Sequence, residues 1–291
     1  MKQEICGTTP ILPRSGNGWV VLLGRLTVKH LWEQLGGEES EKDIGHTGKC
    51  AGGYHDKHGV SRRWNGLIIE DDNIEDYKLA FAQAKNIYQS WVMQGETPTL
   101  LEVVQHLKPH ALLGLSGALG IFNESVVKAM AEYNETPIIF PLSNPNSNCE
   151  AAPEDIIKWS DGRAIVATGS PFPDVIYQNK RHEIRQGNNA FIFPGVGLAA
   201  VLGECRQISD GMILESAYAL ADYIKDHCSD DYIYPPIKDL RKISVYVATR
   251  VLSKALEDGS TTVNDLKNID IQSYVEENLW RAEYIPYKYA G

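Results

Sequence analysis

Three short apolar runs, at residues 111–115, 138–140 and 164–167, alternate with segments of helical character, and this alternation constrains the fold more than any other feature of the chain. Each run is continuous rather than alternating, the pattern of a strand buried on both faces. Between the first two runs, Asn123 is a good N-cap and Glu124 carries the charge favoured in a first turn, for a helix reaching Met130 to Tyr133. Between the second and third, Pro153 opens a helix through Ile157. Apolar strands linked by helices are βαβ units, and such units build a parallel sheet. The expected fold class is therefore α/β.

The flanks are less regular. Residues 1–64 read as an irregular, poorly patterned segment. Glycine and charge dominate 36–63, residues 20–23 suit a short strand, and 26–35 suit a helix. After Asn65 come the apolar Leu67, Ile68 and Ile69, the acidic Glu70, Asp71 and Asp72, and a stretch of helical character at 77–92. Thr97 reads as an N-cap with Pro98 at the first helical position, opening a helix over 99–108. The C-terminal third reads as helical. Ser209 caps a helix in which Ile213, Ala217, Leu220, Ala221 and Ile224 share a face, and Ile237, Leu240, Ser244, Val247, Val251 and Ala255 share a face in the next. Both faces are expected to pack on the sheet. There is no internal repeat, and the expected division is 1–64 and 65–291.

The chain has 291 residues, 43% of them hydrophobic and 23% charged, enough apolar surface for a sizeable core. Lys plus Arg is 28 and Asp plus Glu is 38, so the formal charge is −10. That balance disfavours a nucleic-acid partner. No segment reaches the ~20 apolar residues of a membrane-spanning helix, so no membrane partner is expected. Five cysteines (Cys6, Cys50, Cys149, Cys205 and Cys228) stand far apart without a CxxC pair, which suits reduced thiols inside a cell. Residues 1–13 show no targeting pattern, and a cytoplasmic or mitochondrial-matrix location is expected.

In open α/β sheets ligands bind outside the carboxyl ends of the strands. The first run ends in Ser116-Gly117, the second in Leu142-Ser143-Asn144-Pro145, and the third in Thr168-Gly169-Ser170-Pro171-Phe172. A fourth element, Gln186-Gly187-Asn188-Asn189, precedes the apolar run at 190–202. Small residues let a ligand approach the backbone, and side-chain amides both donate and accept hydrogen bonds. Asn144, Asn188 and Asn189 can thus hold a carboxylate, a hydroxyl or a carboxamide. Each asparagine taken singly is equally ordinary turn or cap material. The cluster of His46, Cys50, His55 and His58 matches no zinc spacing and reads as solvated loop, and Glu70, Asp71 and Asp72 read as an acidic linker. His106, His110, His182 and His227 read as surface or capping residues, and Cys149 and Cys205 as small packing residues.

Pro141-Leu142-Ser143-Asn144-Pro145-Asn146-Ser147 resembles the LSNPTS motif of malic enzymes. Ala167-Thr168-Gly169-Ser170-Pro171-Phe172 resembles their ATGSPF segment, Gln186-Gly187-Asn188-Asn189 with Phe193-Pro194-Gly195 their GQGNN…FPG stretch, and Leu113-Gly114-Leu115-Ser116-Gly117 their LIGVSG turn. Arg206-Gln207-Ile208-Ser209-Asp210 and Tyr234-Pro235-Pro236 fit too, and 278–284 is most similar to the NAD-linked microbial and fungal branch. The motifs stand in the family's order from about 100 to 287.

The resemblance implies a Rossmann-like, doubly wound, mostly parallel sheet with helices on both faces and a helical C-terminal layer, with 65–291 as the NAD-binding domain. It implies oxidation of L-malate and release of pyruvate and CO2, with NAD as cofactor, NADP left open, and a divalent Mg or Mn ion. It assigns Asn144 to the nicotinamide and malate, Asn188 with Asn189 beside it to malate, and Ser116 and Gly117 to the cofactor cleft through their backbone. Asp56 loosely resembles the acidic residue that contacts the adenosine ribose. The family's Tyr general acid, Lys general base and metal-binding carboxylates find no matching context, so catalytic residues and metal ligands are expected to be missing. The glycine-rich phosphate fingerprint is missing as well, Gly24 standing alone after an apolar run. Residues 1–55 are expected to derive from a truncated gene model or a frame change. A homo-oligomer stays open, since family members are usually dimers or tetramers. Two other readings remain: a catalytically inactive relic or interaction module, and a malolactic-type enzyme.

Overall fold

The computed structural model describes residues 89–95, 98–228, 233–281 and 284. Asp56, the histidine cluster at 46–58, the elements expected at 20–35 and the acidic run at 70–72 lie outside the described residues. The chain divides into two compact units, one running up to Asn189 and taking in Cys228–Pro235, the other made of Ala190–His227 and the chain from Pro236 onward.

The first unit opens with helix α1, Leu100–Leu107. Its N-cap is Thr99 rather than Thr97, which lies outside the described residues. The reason is the residue three positions on. Glu102 accepts from the Thr99 backbone N–H at 2.7 Å while the Thr99 hydroxyl accepts from the Glu102 N–H at 3.3 Å, a reciprocal box that Leu100 could not close with Thr97. The helical character expected at 77–92 does not extend through its end, because residues 89–92 form a turn and bend with Val92 exposed.

The sequence-derived alternation then holds. Strand β1 is Ala111–Gly114, helix α2 Glu124–Tyr133, strand β2 Ile138–Pro141, helix α3 Pro153–Trp159 and strand β3 Ile165–Thr168. Asn123 caps α2 through a 3.1 Å bond from the Val126 N–H, and Pro153 stands in the first turn of α3. A hairpin follows, β4 Val175–Tyr177 antiparallel to β5 Lys180–His182, and then the short strand β6 Arg185–Gln186. The hairpin lacks the usual glycine signal in the sequence, because its turn uses Gln178 and Asn179, both with positive φ. β6 has two residues, too few to show a period.

The main sheet has the order β1-β2-β3-β6, parallel throughout. This is the parallel sheet that the alternating runs imply, in the Rossmann-like arrangement that the resemblance implies. Leu112, Ile139 and Val166 stand side by side on three neighbouring strands and join Val126, Met130, Ile156 and Ile157 in one core. Phe140 on the alternate position meets the ring of Tyr234 with centroids 6.3 Å apart. β1 and β2 are buried along their whole length, which explains why these strands read as continuous apolar runs. Burying a side chain such as Ile139 or Phe140 contributes about 1.5–3 kcal/mol.

The second unit is helical. Helix α4 is Phe193–Leu202, α5 Asp210–His227, α6 Leu240–Glu257 and α7 Ile271–Glu277. Ser209 caps α5 as expected, its hydroxyl accepting from the Met212 N–H at 3.1 Å. The apolar stripes were expected to rest on the sheet. Here they meet other helices, with α6 packed on α4, α5 and α7. Ile243, Val247, Val251 and Ala255 are fully buried in that bundle. Ile237 does not share their face: it lies in a 3-10 turn ahead of α6 and is exposed, because the chain after Pro236 has not yet entered the helix. No helix among the described residues is long and apolar enough to cross a membrane.

Candidate functional site

The parallel register sets the carboxyl ends of β2, β3 and β6 next to one another, and the residues singled out in the sequence follow those ends. Leu142 is where they meet. A Cβ on Gly169, just after β3, would lie 2.1 Å from the Leu142 carbonyl oxygen. A Cβ on Gly187, just after β6, would lie 3.0 Å from the Leu142 side chain and 3.2 Å from the Tyr234 ring. Glycine at both positions therefore lets the three loops close on one another. The Gly187 N–H donates to the Thr168 carbonyl at 2.8 Å, which carries the β3–β6 pairing up to the residue before Asn188. Asn144 lies two residues beyond Leu142 and Asn188 one beyond Gly187, so the two amide-bearing segments share one rim of the sheet.

Asn144 is exposed, and its side-chain oxygen accepts from the hydroxyl of Ser170 and stands against Gly169. Ser170 is itself buried and is tied down by the fully buried Thr168, whose hydroxyl donates to the Ser170 carbonyl at 2.8 Å. With its oxygen occupied, the amide of Asn144 offers its N–H donors to a partner. Asn188 and Asn189 are half-buried.

The Ser116–Gly117 turn adopts a different arrangement from a simple ligand cradle. Gly117 takes a positive φ of 64°, and the N–H groups of the turn point into the protein. The fully buried carboxylate of Glu150 accepts from the Ser116 N–H at 2.8 Å, the Ser116 hydroxyl at 2.9 Å and the Ser143 hydroxyl at 2.6 Å. The Ser143 oxygen in turn accepts from the Gly117 N–H at 2.8 Å. Ser116, Gly117 and Asn144 are thus joined through Ser143 and Glu150. Neither Glu150, Ser143, Ser170 nor Thr168 stood out in the sequence as a site residue. Glu150 had one signal: an acid flanked by Cys149, Ala151 and Ala152 has no polar neighbours to keep it in water. Beside it, burial pushes the Cys149 thiol up to about 11, with the carboxylate adding to the effect, so that cysteine is an inert packing group.

Of the four histidines expected as surface or capping residues, His106 is exposed and stacks on Trp91 and His227 bonds the Tyr223 carbonyl at the end of α5, whereas His110 and His182 are half-buried. Among the described residues no three His, Cys, Asp or Glu side chains come together as a metal-holding group.

A family model described as "Malic enzyme, NAD binding domain" matches residues 60–256. The chain belongs to the malic enzyme family. The match to its NAD-binding domain takes in the Asn144, Asn188 and Glu150 loops described above. Curated relatives include NAD-dependent malic enzyme 2 of Vibrio vulnificus, 36% identical over 227 residues, covering 78% of this chain and 40% of that protein. An NAD-dependent malic enzyme of Acinetobacter baylyi is 39% identical over 227 residues, covering 77% of this chain and 39% of the relative. The chain therefore spans about 40% of the length of the malic enzymes it matches. Among solved structures, the malic enzyme from Pyrococcus horikoshii Ot3 aligns with a TM-score of 0.61 at 19% identity, covering 89% of this chain and 57% of that one. That likeness bears out the Rossmann-like fold.

Proposed function

We propose that this chain supplies the NAD-binding part of a malic enzyme that oxidises L-malate and releases pyruvate and CO2, and that the chain alone does not complete the reaction. The observation that carries the reading is the convergence of Asn144, Gly169-Ser170 and Gly187-Asn188 around Leu142, at the ends of three adjacent parallel strands. NAD, when bound, accepts the hydride. The chain's own contribution is orientation. The Asn144 amide, its oxygen held by Ser170, donates to a carboxylate or carboxamide oxygen. Asn188, with Asn189 beside it, adds further amides to hold malate. The buried, hydrogen-bonded bases of these loops keep both groups from wandering, which is where positioned amides act. The reading includes a cytoplasmic or mitochondrial-matrix location.

A divalent Mg or Mn ion does not fit the described residues. They offer no cluster of three ligands, and the carboxylate of Glu150 is already filled by N–H and O–H donors. No step is assigned to it.

Fluorescence titration of NADH into the purified chain tests the reading. Binding is expected, and Asn144→Ala should weaken it by about tenfold, the scale of one lost hydrogen bond to a ligand. No binding by the wild-type chain would sink the reading. A second assay, NADH formation from malate with NAD and Mn, should give no turnover. Steady NADH production would show the chain to be complete for the reaction, and lactate without free NADH would point to a malolactic-type enzyme.

A further inference from the structure

We propose that Glu150 is a positioning residue for the cofactor cleft: its carboxylate fills the Ser116–Gly117 turn from inside, fixes that turn against Asn144, and directs it toward an uncharged part of the ligand. The functional consequence rests on the NAD reading above, whereas the clamp stands on its own geometry.

A turn with successive free N–H groups is an anion cradle, and in nucleotide-binding folds such cradles take phosphate. Here the protein's own anion occupies that place. Oε1 of Glu150 lies 2.8 Å from the Ser116 nitrogen, 2.9 Å from its hydroxyl oxygen, 3.3 Å from the Gly117 nitrogen and 2.6 Å from the Ser143 hydroxyl oxygen, and Oε2 lies 3.3 Å from the Ser143 nitrogen. All five are donors, so the group serves as an acceptor-only carboxylate. Glu150 is 0% exposed and follows the β2 loop, and its donors come from the ends of β1 and β2, so it spans the two loops. Gly114 at the end of β1 makes the fit possible: a Cβ there would come within 2.6 Å of the carboxylate. Because Asn144 directly follows Ser143, the same carboxylate sets the distance between the turn and the Asn144 amide. The donors of the turn are spent inward. A pyrophosphate or a malate carboxylate must find its donors elsewhere, and the turn is left for a ribose or the nicotinamide ring.

The test uses the full chain, with Glu150→Gln and Glu150→Ala as variants. Hydrogen exchange of the Ser116, Gly117 and Ser143 amides is read first without ligand. Both variants should exchange at least about tenfold faster there while amides of α6 are unchanged, the pattern of local rather than global opening. NADH affinity should fall by about tenfold in both. Formate, a free carboxylate small enough for the vacated space, should restore protection and NADH affinity in Glu150→Ala and leave the wild type unaffected, which a general loss of stability would not do. Unchanged exchange in both variants overturns the clamp. Faster exchange with unaltered NADH affinity overturns the positioning role. If the wild type does not bind NADH, the cofactor reading fails and takes the positioning role with it, while exchange and formate rescue still decide whether the carboxylate holds the turn.

Discussion

Gly169 shows how tightly single residues are specified at the rim of the sheet. The space a methyl group would need is occupied by the Leu142 carbonyl oxygen at 2.1 Å, and a backbone atom cannot swing aside as a side chain can. Gly169→Ala must therefore push β3's exit away from β2's. The expected cost is about 1–3 kcal/mol, the scale of overpacking a well-filled site. Thermal unfolding of the variant measures it, and a wild-type melting curve would show that the loops part freely. The same substitution is expected to disturb Asn144, whose side-chain oxygen a Cβ at 169 would approach to 3.1 Å. Leu142 and Gly169 are 27 positions apart, and nothing in the sequence around either says that they touch. That both border one ligand rim was legible from their places at the ends of predicted strands and from the resemblance of both segments to one family.

The helices and turns depend on local capping that the sequence states almost outright. Asn123 holds the first turn of α2 through the Val126 N–H, and Asn123→Ala should destabilise the chain by about 0.5–2 kcal/mol, readable by urea denaturation. Several carboxylates do similar work and set the response to acid. The N–H groups of Thr99 and Gln94 hold the Glu102 carboxyl below its ordinary value. A bond from Arg181 does the same for Asp174, and the Ser273 hydroxyl does so for Asp270. A carboxyl that is more acidic folded than unfolded contributes stability above its ordinary value, and that contribution is lost as the pH falls through the lowered folded-state value. The melting temperature is therefore expected to begin falling below the ordinary His value of 6.5, because burial holds the folded-state value of His182 down, and to fall further through these carboxylates below about the ordinary Glu value of 4.5. A melting temperature that rose on acidification through this window would contradict the capping roles. These are elements the sequence exposes well, since Asn123, Pro153 and Ser209 each act within four residues of themselves. Thr97 against Thr99 shows the limit: both are cap residues, and the partner at Glu102 chooses between them.

At the scale of the molecule the chain carries a formal charge of −10, and the ligands proposed for it are anions. Long-range repulsion should slow and weaken their binding at low salt. Raising the ionic strength from ~0.01 M to ~0.15 M shortens the Debye length from about 30 Å to about 8 Å, so NADH affinity is expected to rise across that range. A fall instead would mean that local cationic groups dominate the site. The division into two units adds a second molecular-scale point. Each unit has its own core, one built on sheet and helix and the other on helices alone, so the apolar stripes of α5 and α6 are satisfied within a bundle.

The amino-acid order by itself determined the α/β class, the three core strands and the caps of α2 and α5, and two motif-like segments single out Asn144 and Asn188 as candidates. These are local patterns, each readable within a window of a few residues because strand burial and helix capping act over that range. Tertiary structure alone decided which helix faces meet, where β6 joins the sheet, and that Glu150 reaches Ser116 across 34 positions to hold the turn beside Asn144. Such contacts depend on which strands become neighbours, and only the completed parallel sheet brings those loop ends within hydrogen-bonding distance.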